Sequence, residues 1–342
     1  MSTTPSDPRP FHDPAHTASA ADLARTAAAA RDATAVRPVL APPAPRRGLP
    51  PALARDVVDR FVRPALEEDR GGGDLTSSTA VPEKARARAQ LLAKSQGVLA
   101  GLAVFARVFE LCDPRAKITL AREDGSRFAR GDVLATVEGS ARALLTAERT
   151  ALNFIQRMSG TATLTSRYVE LARAGGGERV RVLDTRKTTP GLRVLEKYAV
   201  RCGGGENHRF GLYDEVMVKE NHIELAGKPI PDVLRDLRRA VGASVRITSE
   251  ARDEREALAG VDGGADVILL DNMSVAELTR LCPILRARAE THGRAVELEA
   301  SGGIDLATTA AIAATGVDRL SVGALTHSAP AMDLSLELEP LG

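Results

Sequence analysis

The 342-residue sequence has few of the side chains that build aromatic or metal-based sites. Tryptophan is absent and aromatic residues make up 3% of the chain, which disfavours base-stacking platforms for nucleic acid and aromatic-lined sugar grooves. Its three cysteines, Cys112, Cys202 and Cys282, lie far apart without Cys-x-x-Cys spacing. Neither a zinc site nor a disulfide framework is therefore expected, and a reducing cytoplasm is predicted.

The sequence also lacks a large net charge and a long apolar run. Lysine and arginine total 46 against 45 aspartates and glutamates, for a net charge of +1, so no bulk field attracts nucleic acid or an anionic membrane. The longest apolar stretch, 98–109, is interrupted by Arg107 and is far shorter than the ~20 residues of a membrane span. We expect no nucleic acid, no membrane and only local anion sites.

Composition divides the chain near residue 50. Residues 1–50 hold 9 of the 19 prolines and almost no large apolar side chains, which predicts a disordered extension. A transit peptide is the functional alternative, but the four aspartates of this segment do not fit an acid-poor targeting pattern. We predict an α+β domain over 51–158, a catalytic α/β domain over 159–326, and a C-terminal segment 327–342 that packs back on the first domain. Two helical runs on either side of Ser159-Gly160 are expected near the junction.

Short apolar runs, each followed by a helical stretch, recur in the second half of the chain. The runs are 179–183, 215–218, 244–247, 266–270, 295–298 and 318–322, and helices are expected at 231–241, 253–260, 274–290 and 305–315. This repeat predicts parallel strands that close as a barrel or form an open doubly wound sheet. Polar residues follow the apolar runs at six strand ends, and such a rim is typical of a barrel active site.

Cationic side chains gather at these strand ends. They are Arg186, Lys187, His208, Arg209 and Lys219, with Arg149 on the preceding helix. Any single arginine is usually a solvated surface group. Lysine is scarcer, with seven in the chain, and Lys219 directly follows an apolar run where a partly buried ammonium needs an anionic partner. Several cations on one rim favour a small dianionic acid over a monoanion.

Glycine turns and carboxylates follow other strands of the repeat. Ser301-Gly302-Gly303 and then Gly323 each follow a run, and glycines let main-chain N–H groups approach an anion closely, which predicts a phosphate cradle. Glu250 and Asp271 also lie at strand ends. They could bind Mg²⁺, hydrogen-bond ribose hydroxyls or stabilise a developing cation, or they could pair with arginines and only hold loops.

Longer motifs of the sequence resemble those of the quinolinate phosphoribosyltransferase family. The motifs occupy 147–154, 184–193, 197–205, 218–222, 269–272, 299–303 and 321–327, and the likeness runs from about residue 51 to the C-terminus. The resemblance implies an α/β fold with an incomplete (open) α/β barrel and a smaller α+β N-terminal domain, assembled as a homodimer with shared active sites. It also implies the transfer of phosphoribosyl from 5-phosphoribosyl-1-pyrophosphate to quinolinate with decarboxylation, supported by Mg²⁺, in de novo NAD biosynthesis.

The resemblance also implies roles for the matching positions. Arg149 would reach quinolinate from the neighbouring subunit, and the side chains that bind its carboxylates would be Arg186, His208, Arg209 and Lys219. Lys187 would lie between the substrates, with Thr185 beside it, while Glu250 and Asp271 would lie at the ribose. The phosphate would be held by Ser301, Gly302, Gly303, Val322, Gly323, Ala324 and His327. Mg²⁺ is expected to arrive with the pyrophosphate donor, near Glu250 and Asp271.

One position departs from the family pattern. Thr248 stands where the family usually has the first acid of a Glu-x-Glu strand, and Glu250 matches the second. Two alternatives stay open: a related phosphoribosyltransferase that uses a monocarboxylate such as nicotinate, and a family-like protein that binds ligands without turnover. Cys202 and Cys282 are expected to have packing roles only.

Overall fold

The computed structural model describes residues 53–342, so the extension predicted at 1–50 lies outside the described residues. Its first helices and strands are α1 (Arg55–Arg70), α2 (Leu75–Ala80), β1 (Arg86–Ala93), β2 (Gly97–Val98), α3 (Leu102–Cys112), β3 (Lys117–Leu120), β4 (Arg127–Phe128) and β5 (Val133–Ser140). Strands β1, β3 and β5 form an antiparallel sheet in the order β1–β5–β3. Alternate residues of β1 are buried against α1 and α3, as the period of a strand with one apolar face requires.

One long helix, α4 (Ala141–Gly176), connects this sheet to the second half of the chain. The expectation of two helical runs separated at Ser159-Gly160 is wrong, because the helix is continuous there. The glycine has a packing reason: a Cβ on Gly160 would lie 2.0 Å from the carbonyl oxygen of Pro330. Glycine at this point therefore allows the C-terminal segment to cross the helix closely.

The second half alternates strands and helices. After a 3₁₀ turn at Gly177–Arg179 come β6 (Arg181–Leu183), α5 (Arg193–Cys202), β7 (Val216–Val218), α6 (Glu220–Ala226), α7 (Ile230–Val241), β8 (Ile247–Ala251), α8 (Glu254–Asp262), β9 (Val267–Asp271), α9 (Val275–Thr291), β10 (Glu297–Ser301), α10 (Thr309–Ala313), β11 (Arg319–Ser321) and α11 (Ala324–His327). The chain ends in β12 (Leu334–Leu341), which pairs antiparallel with β1. The domain limits given by the sequence stay a prediction.

The six strands from β6 to β11 form one parallel sheet in the order β6–β11–β10–β9–β8–β7. The expected α/β fold with a smaller N-terminal α+β domain is confirmed. The strand order follows the chain around an arc with an interruption between β6 and β7, which fits the expected incomplete (open) α/β barrel. We call the interruption the seam. Strand β8 begins at Ile247, where the sequence predicted its end, because Gly242, Ala243 and Ser244 form an exposed turn. Glu250 therefore lies within a strand rather than after it.

Apolar side chains form a separate buried core under each sheet. Helices α7 to α9 cover the outside of the barrel with Leu234, Val261 and Leu285, among others. Over residues 53–342, no helix combines the length and the apolar character that crossing a bilayer demands.

Candidate active site

A cavity of about 490 Å³ opens at the carboxyl ends of the parallel strands. Eleven of the residues predicted for the site line it: Thr185, Arg186, Lys187, His208, Arg209, Lys219, Glu250, Asp271, Ser301, Gly302 and Gly303. Residues that are far apart in the sequence therefore converge on one space, as the strand-end argument requires.

The two-residue period of the strands explains how the cavity wall is built. Leu269 and Asp271 lie on one strand, Glu299 and Ser301 lie on another, and Met217 lies on a third strand that Lys219 directly follows. The members of each pair are two residues apart, and all six line the cavity. Alternate side chains of a strand point to the same face, so each strand delivers an inner residue to the floor and an outer one to the rim.

A buried ion pair supports the first cationic loop. Lys197 Nζ contacts Asp184 Oδ1 and donates to the carbonyl of His208 at 3.0 Å, and neither charged side chain is more than 1% exposed. Asp184 also accepts the N–H of His208 at 3.0 Å. Burial raises the pKa of Asp184 to about 6, against the opposing effect of Lys197, so this carboxylate is ionised at neutral pH.

Both ring nitrogens of His208 face protein groups. Nδ1 accepts the N–H of Arg209 at 2.7 Å, and Nε2 lies 3.2 Å from Oε1 of the fully buried Glu299. On the other side of this carboxylate, Oε2 lies 3.1 Å from Nε of Arg319. Burial acts to raise the pKa of Glu299, but His208, Arg319 and the Ser321 hydroxyl outweigh it and leave the pKa below its usual range. The cavity floor is thus a charged, internally paired cluster.

The two rim carboxylates have different surroundings. Glu250 Oε2 contacts Lys219 Nζ, whereas Asp271 accepts from the side-chain amide of Asn272 at 2.7 Å. Asn272 has φ 56°, the only positive φ of a non-glycine residue among 53–342. A Cβ on Gly302 would lie 2.2 Å from Asn272 Oδ1, so the Ser-Gly-Gly turn and this asparagine fit together only with glycine at 302.

Positive charge accumulates at the rim between β6 and β7. Arg186, Lys187, Arg209 and Lys219 all line the cavity. The pKa of Arg209 is lowered, first by its burial and then by the charge of Arg186. Two guanidinium groups that repel each other across a cavity create a site that a doubly charged anion would stabilise.

The remaining predicted residues do not line the cavity. Arg149 is exposed on α4, and Val322 is buried in the barrel core with its N–H bonded to the carbonyl of Leu183. Gly323 lies beside the cavity, since a Cβ there would be 3.2 Å from Lys187 Cδ and 2.9 Å from His327 Nε2. Ala324 begins the four-residue helix that follows.

The carboxylates do not form a metal cage by themselves. Within residues 53–342 no group of three or more His, Cys, Asp or Glu side chains could hold a metal ion. Glu250 and Asp271 instead supply two separated carboxylates at the rim, which fits Mg²⁺ held mainly by substrate phosphates.

Several residues of the site had no predicted role. Met217, Leu269, Asn272, Glu299 and Ser321 also line the cavity. The two-residue period could have found most of them, because Glu299 precedes Ser301 by two positions just as Met217 precedes Lys219. Lys197 carried a signal too, as one of only seven lysines.

Comparisons with known proteins agree with this geometry and confirm the resemblance seen in the sequence. Residues 74–159 match the family model for the N-terminal domain of quinolinate phosphoribosyl transferase, and residues 161–337 match that for its C-terminal domain. A probable nicotinate-nucleotide pyrophosphorylase [carboxylating] from Bacillus subtilis is 43% identical over 271 residues, covering 79% of this chain and 90% of the relative. The similarly named Synechocystis protein is 39% identical over 296 residues, covering 86% of this chain and 96% of that one.

Solved structures lead to the same family. The crystal structure of NadC from Streptococcus pyogenes has a TM-score of 0.78 and 38% identity, covering 85% of this chain and 99% of that one. A nicotinate-nucleotide pyrophosphorylase from Francisella tularensis has a TM-score of 0.77 and 36% identity, with the same coverage of both chains. The chain belongs to the quinolinate phosphoribosyl transferase family.

Proposed function

We propose that this chain transfers the phosphoribosyl group of 5-phosphoribosyl-1-pyrophosphate to quinolinate, with release of pyrophosphate and CO₂ and formation of nicotinate mononucleotide. The observation that carries the proposal is the convergence of four cations, a Ser-Gly-Gly turn and two carboxylates on one 490 Å³ cavity. The named relatives support the same chemistry, since they are described as carboxylating nicotinate-nucleotide pyrophosphorylases or decarboxylating quinolinate phosphoribosyltransferases.

Quinolinate binds against the seam, where positive charge is densest. Arg186, Arg209 and Lys219 hold its two carboxylates, with His208 at the base of the same wall and Thr185 beside it. Unit charges ~4 Å apart attract by about 4 kcal/mol at an effective dielectric near 20. A monocarboxylate leaves part of this positive charge unmatched, so the site prefers the diacid.

The donor binds on the opposite wall. Its 5-phosphate lies at the turn of Ser301, Gly302 and Gly303, next to the segment of Val322, Gly323, Ala324 and His327, and its ribose lies by Glu250 and Asp271. Lys187 stands between the two walls, because its side chain lies beside Gly323 while its backbone follows Arg186. Glu250 and Asp271 would hold the Mg²⁺ that comes with the pyrophosphate, and the ion would supply charge neutralisation there when bound.

The reaction needs no nucleophile from the protein. As pyrophosphate leaves, positive charge develops at the ribose, and the carboxylates of Glu250 and Asp271 stabilise it. The cations hold the quinolinate nitrogen against the anomeric carbon. Once the nitrogen is bonded to ribose and positively charged, the carboxylate on the neighbouring ring carbon leaves as CO₂. The electron pair of the broken carbon–carbon bond stays on the ring carbon, which then takes a proton from solvent.

The functional unit in this proposal is a homodimer with shared sites. Arg149 is exposed on α4, and the same helix exposes Leu145 one turn earlier. A large exposed apolar side chain next to an exposed arginine is typical of a surface that meets another chain. Arg149 then completes the quinolinate pocket of the partner subunit.

The proposed compartment is the cytoplasm. Cys112, Cys202 and Cys282 are free thiols, and two of them are buried. Burial raises the pKa of Cys282 to about 11, so this thiol stays protonated and unreactive. A reducing environment would keep all three cysteines as free thiols.

A pyrophosphate-release assay tests the reaction. We expect release that depends on quinolinate and Mg²⁺, with one CO₂ for each pyrophosphate, and less than a hundredth of that rate with nicotinate. Lys187→Met should lower kcat about 100-fold, whereas Lys228→Met is the matched control, since Lys228 is an exposed lysine paired with Asp236. Equal rates with nicotinate would reassign the substrate. Ligand-induced stabilisation without pyrophosphate release would indicate a binding protein.

A further inference from the structure

The cations of the cavity come from both sides of the seam. Arg186 and Lys187 follow β6, and Arg209 precedes β7, two strands that the sheet does not pair. Among residues 53–342, the main-chain hydrogen bonds across the seam are those of Glu206, which bonds to the backbone of Val182 and Asp184. Within the described chain, no main-chain hydrogen bond joins 185–192 to 207–215. The distance between Arg186 and Arg209 is therefore not fixed by the sheet.

Electrostatics acts to widen this distance. Arg186 and Arg209 carry like charges that face the same cavity, and the charge of Arg186 contributes to the lowered pKa of Arg209. Like charges close together in a partly buried site repel by an amount comparable to a hydrogen bond. The direct links across the seam, through Glu206 and through the N–H of His208 to Asp184, lie at the base of the two loops, so this repulsion acts on the parts of the loops beyond them.

Helix α5 provides side-chain links one turn apart. At the base of the seam, Lys197 contacts Asp184 and donates to the carbonyl of His208. Arg193 precedes Lys197 by four residues, so the two side chains share one face of the helix. The first link is buried in the core of the domain, and the second lies nearer the rim where the cations are.

The guanidinium group of Arg193 contacts both loops at once. Its Nη1 donates to the carbonyl of Phe210 at 2.9 Å, its Nη2 to the carbonyl of Arg186 at 3.4 Å, and its Nε to Thr188 Oγ1 at 3.1 Å. No carboxylate lies within ion-pair distance of Arg193 in residues 53–342. The planar guanidinium group therefore donates its hydrogen bonds to main-chain carbonyls of both loops. The single ammonium group of a lysine cannot make the same set of hydrogen bonds in this geometry.

We propose that Arg193 is a positioning residue that sets the spacing between Arg186 and Arg209, and through it the preference of the cavity for two adjacent carboxylates. It does not line the cavity and acts only through the backbones it holds. This inference rests on the proposed seating of quinolinate between those two arginines.

Direct binding measurements test this role. Quinolinate and its isomer pyridine-2,6-dicarboxylate are titrated calorimetrically into the wild type, Arg193→Lys and Arg193→Met. Both variants should weaken quinolinate binding about tenfold and reduce the preference for quinolinate over the isomer at least threefold. The KM for the donor should change less than twofold. The fold-change in kcat should be smaller than the fold-change in the KM for quinolinate. A purely structural role would lower the melting temperature without changing the ratio of the two dissociation constants.

Two further variants separate the failure of this inference from that of the proposed function. Arg294→Met is the matched control, because Arg294 donates to the carbonyls of Ala265 and Val261 on the far side of the barrel. Arg209→Met tests the seating itself: if it leaves quinolinate affinity unchanged, quinolinate binds elsewhere and both proposals fail. If Arg209→Met weakens binding while Arg193→Met does not, only the role of Arg193 is wrong. Full recovery by Arg193→Lys would also overturn it, because charge alone would then suffice.

Discussion

The contact between Lys219 and Glu250 joins two residues to which we assign different substrates. Lys219 is 46% exposed and Glu250 15%, so their attraction is that of a partly screened pair, about 0.5–1 kcal/mol. In the proposed binding mode, quinolinate competes with Glu250 for the ammonium group of Lys219. We therefore expect that binding of the diacid releases Glu250 toward the ribose and that this pair couples the two substrates.

Replacement of Glu250 by glutamine tests this coupling. The variant loses the charge that, in the proposed reaction, stabilises the ribose in the transition state, so kcat should fall about 100-fold. Quinolinate binding should tighten two- to fivefold, since Lys219 no longer has an anionic partner. Calorimetric titration of quinolinate in the absence of donor measures the second effect. Weaker quinolinate binding in the variant would contradict the competition.

A second residue-scale prediction concerns the pair of Asp184 and Lys197. Lys197→Met leaves a carboxylate in a fully buried position, and we expect a loss of about 3–5 kcal/mol in the free energy of unfolding. The double variant Asp184→Asn, Lys197→Met removes both charges and should be more stable than Lys197→Met alone. Urea denaturation of the four proteins of this cycle gives the result. A double variant no more stable than Lys197→Met would show that the buried charge is not the source of the loss.

Among the helices and strands, helix α5 shows most clearly why some elements could not be predicted from the sequence. It has apolar residues at Leu195, Tyr198, Ala199 and Cys202 and a glycine run after its end, which is typical of a helix, yet no helix was predicted there. The reason is that Glu196 and Lys197 are buried and interrupt the usual division between apolar and polar faces. Lys197 links the two sides of the seam through Asp184 and the carbonyl of His208, so a tertiary contact, and not the local apolar pattern, decides which residue stands at this position.

Helices α8 and α9 are joined by an ion pair with a pH-dependent contribution. Asp262 accepts from Nε and Nη2 of Arg288 at 2.6 and 2.9 Å, and His292 Nε2 lies 2.9 Å from it. The hydrogen bond from Arg288 is the main cause that lowers the pKa of Asp262 to about 2. A carboxyl whose pKa is lower in the folded protein stabilises it above pH 4, and this contribution disappears as the pH falls from about 4 to about 2.

Asp262→Asn should therefore cost about 1 kcal/mol at pH 7, a value reduced for the partial exposure of the pair. The difference in unfolding free energy between wild type and variant should shrink as the pH falls from 4 to 2. Urea denaturation at several pH values measures it, with Asp56→Asn as the control, because Asp56 is 73% exposed and 3.7 Å from Arg60. A difference that stays constant down to pH 2 would contradict the assignment.

At the scale of the whole molecule, the sequence predicts the convergence of the site better than the closure of the sheet. Polar residues at six strand ends already indicate one rim, because parallel strands all present the same end. Whether the sheet closes depends on the pairing of β6 with β7, and in this structure β6 instead makes a bridge to Glu206, in the segment between the two strands. No local period encodes such a contact, so the open barrel followed from the family resemblance and not from the residues.

The proposed sharing of sites between subunits makes a prediction for the assembled protein. Arg149→Ala should abolish activity by removing a cation from the site of the partner subunit, and Lys187→Ala should abolish it by removing a group from its own site. In a randomly mixed population half of the dimers carry one subunit of each kind, and each of these has one site with both residues intact. Mixing the two inactive proteins under conditions of subunit exchange should therefore restore about a quarter of wild-type activity. Each variant mixed with itself is the control, and a mixture that stays inactive while native mass spectrometry shows the mixed dimer would place Arg149 in the site of its own subunit.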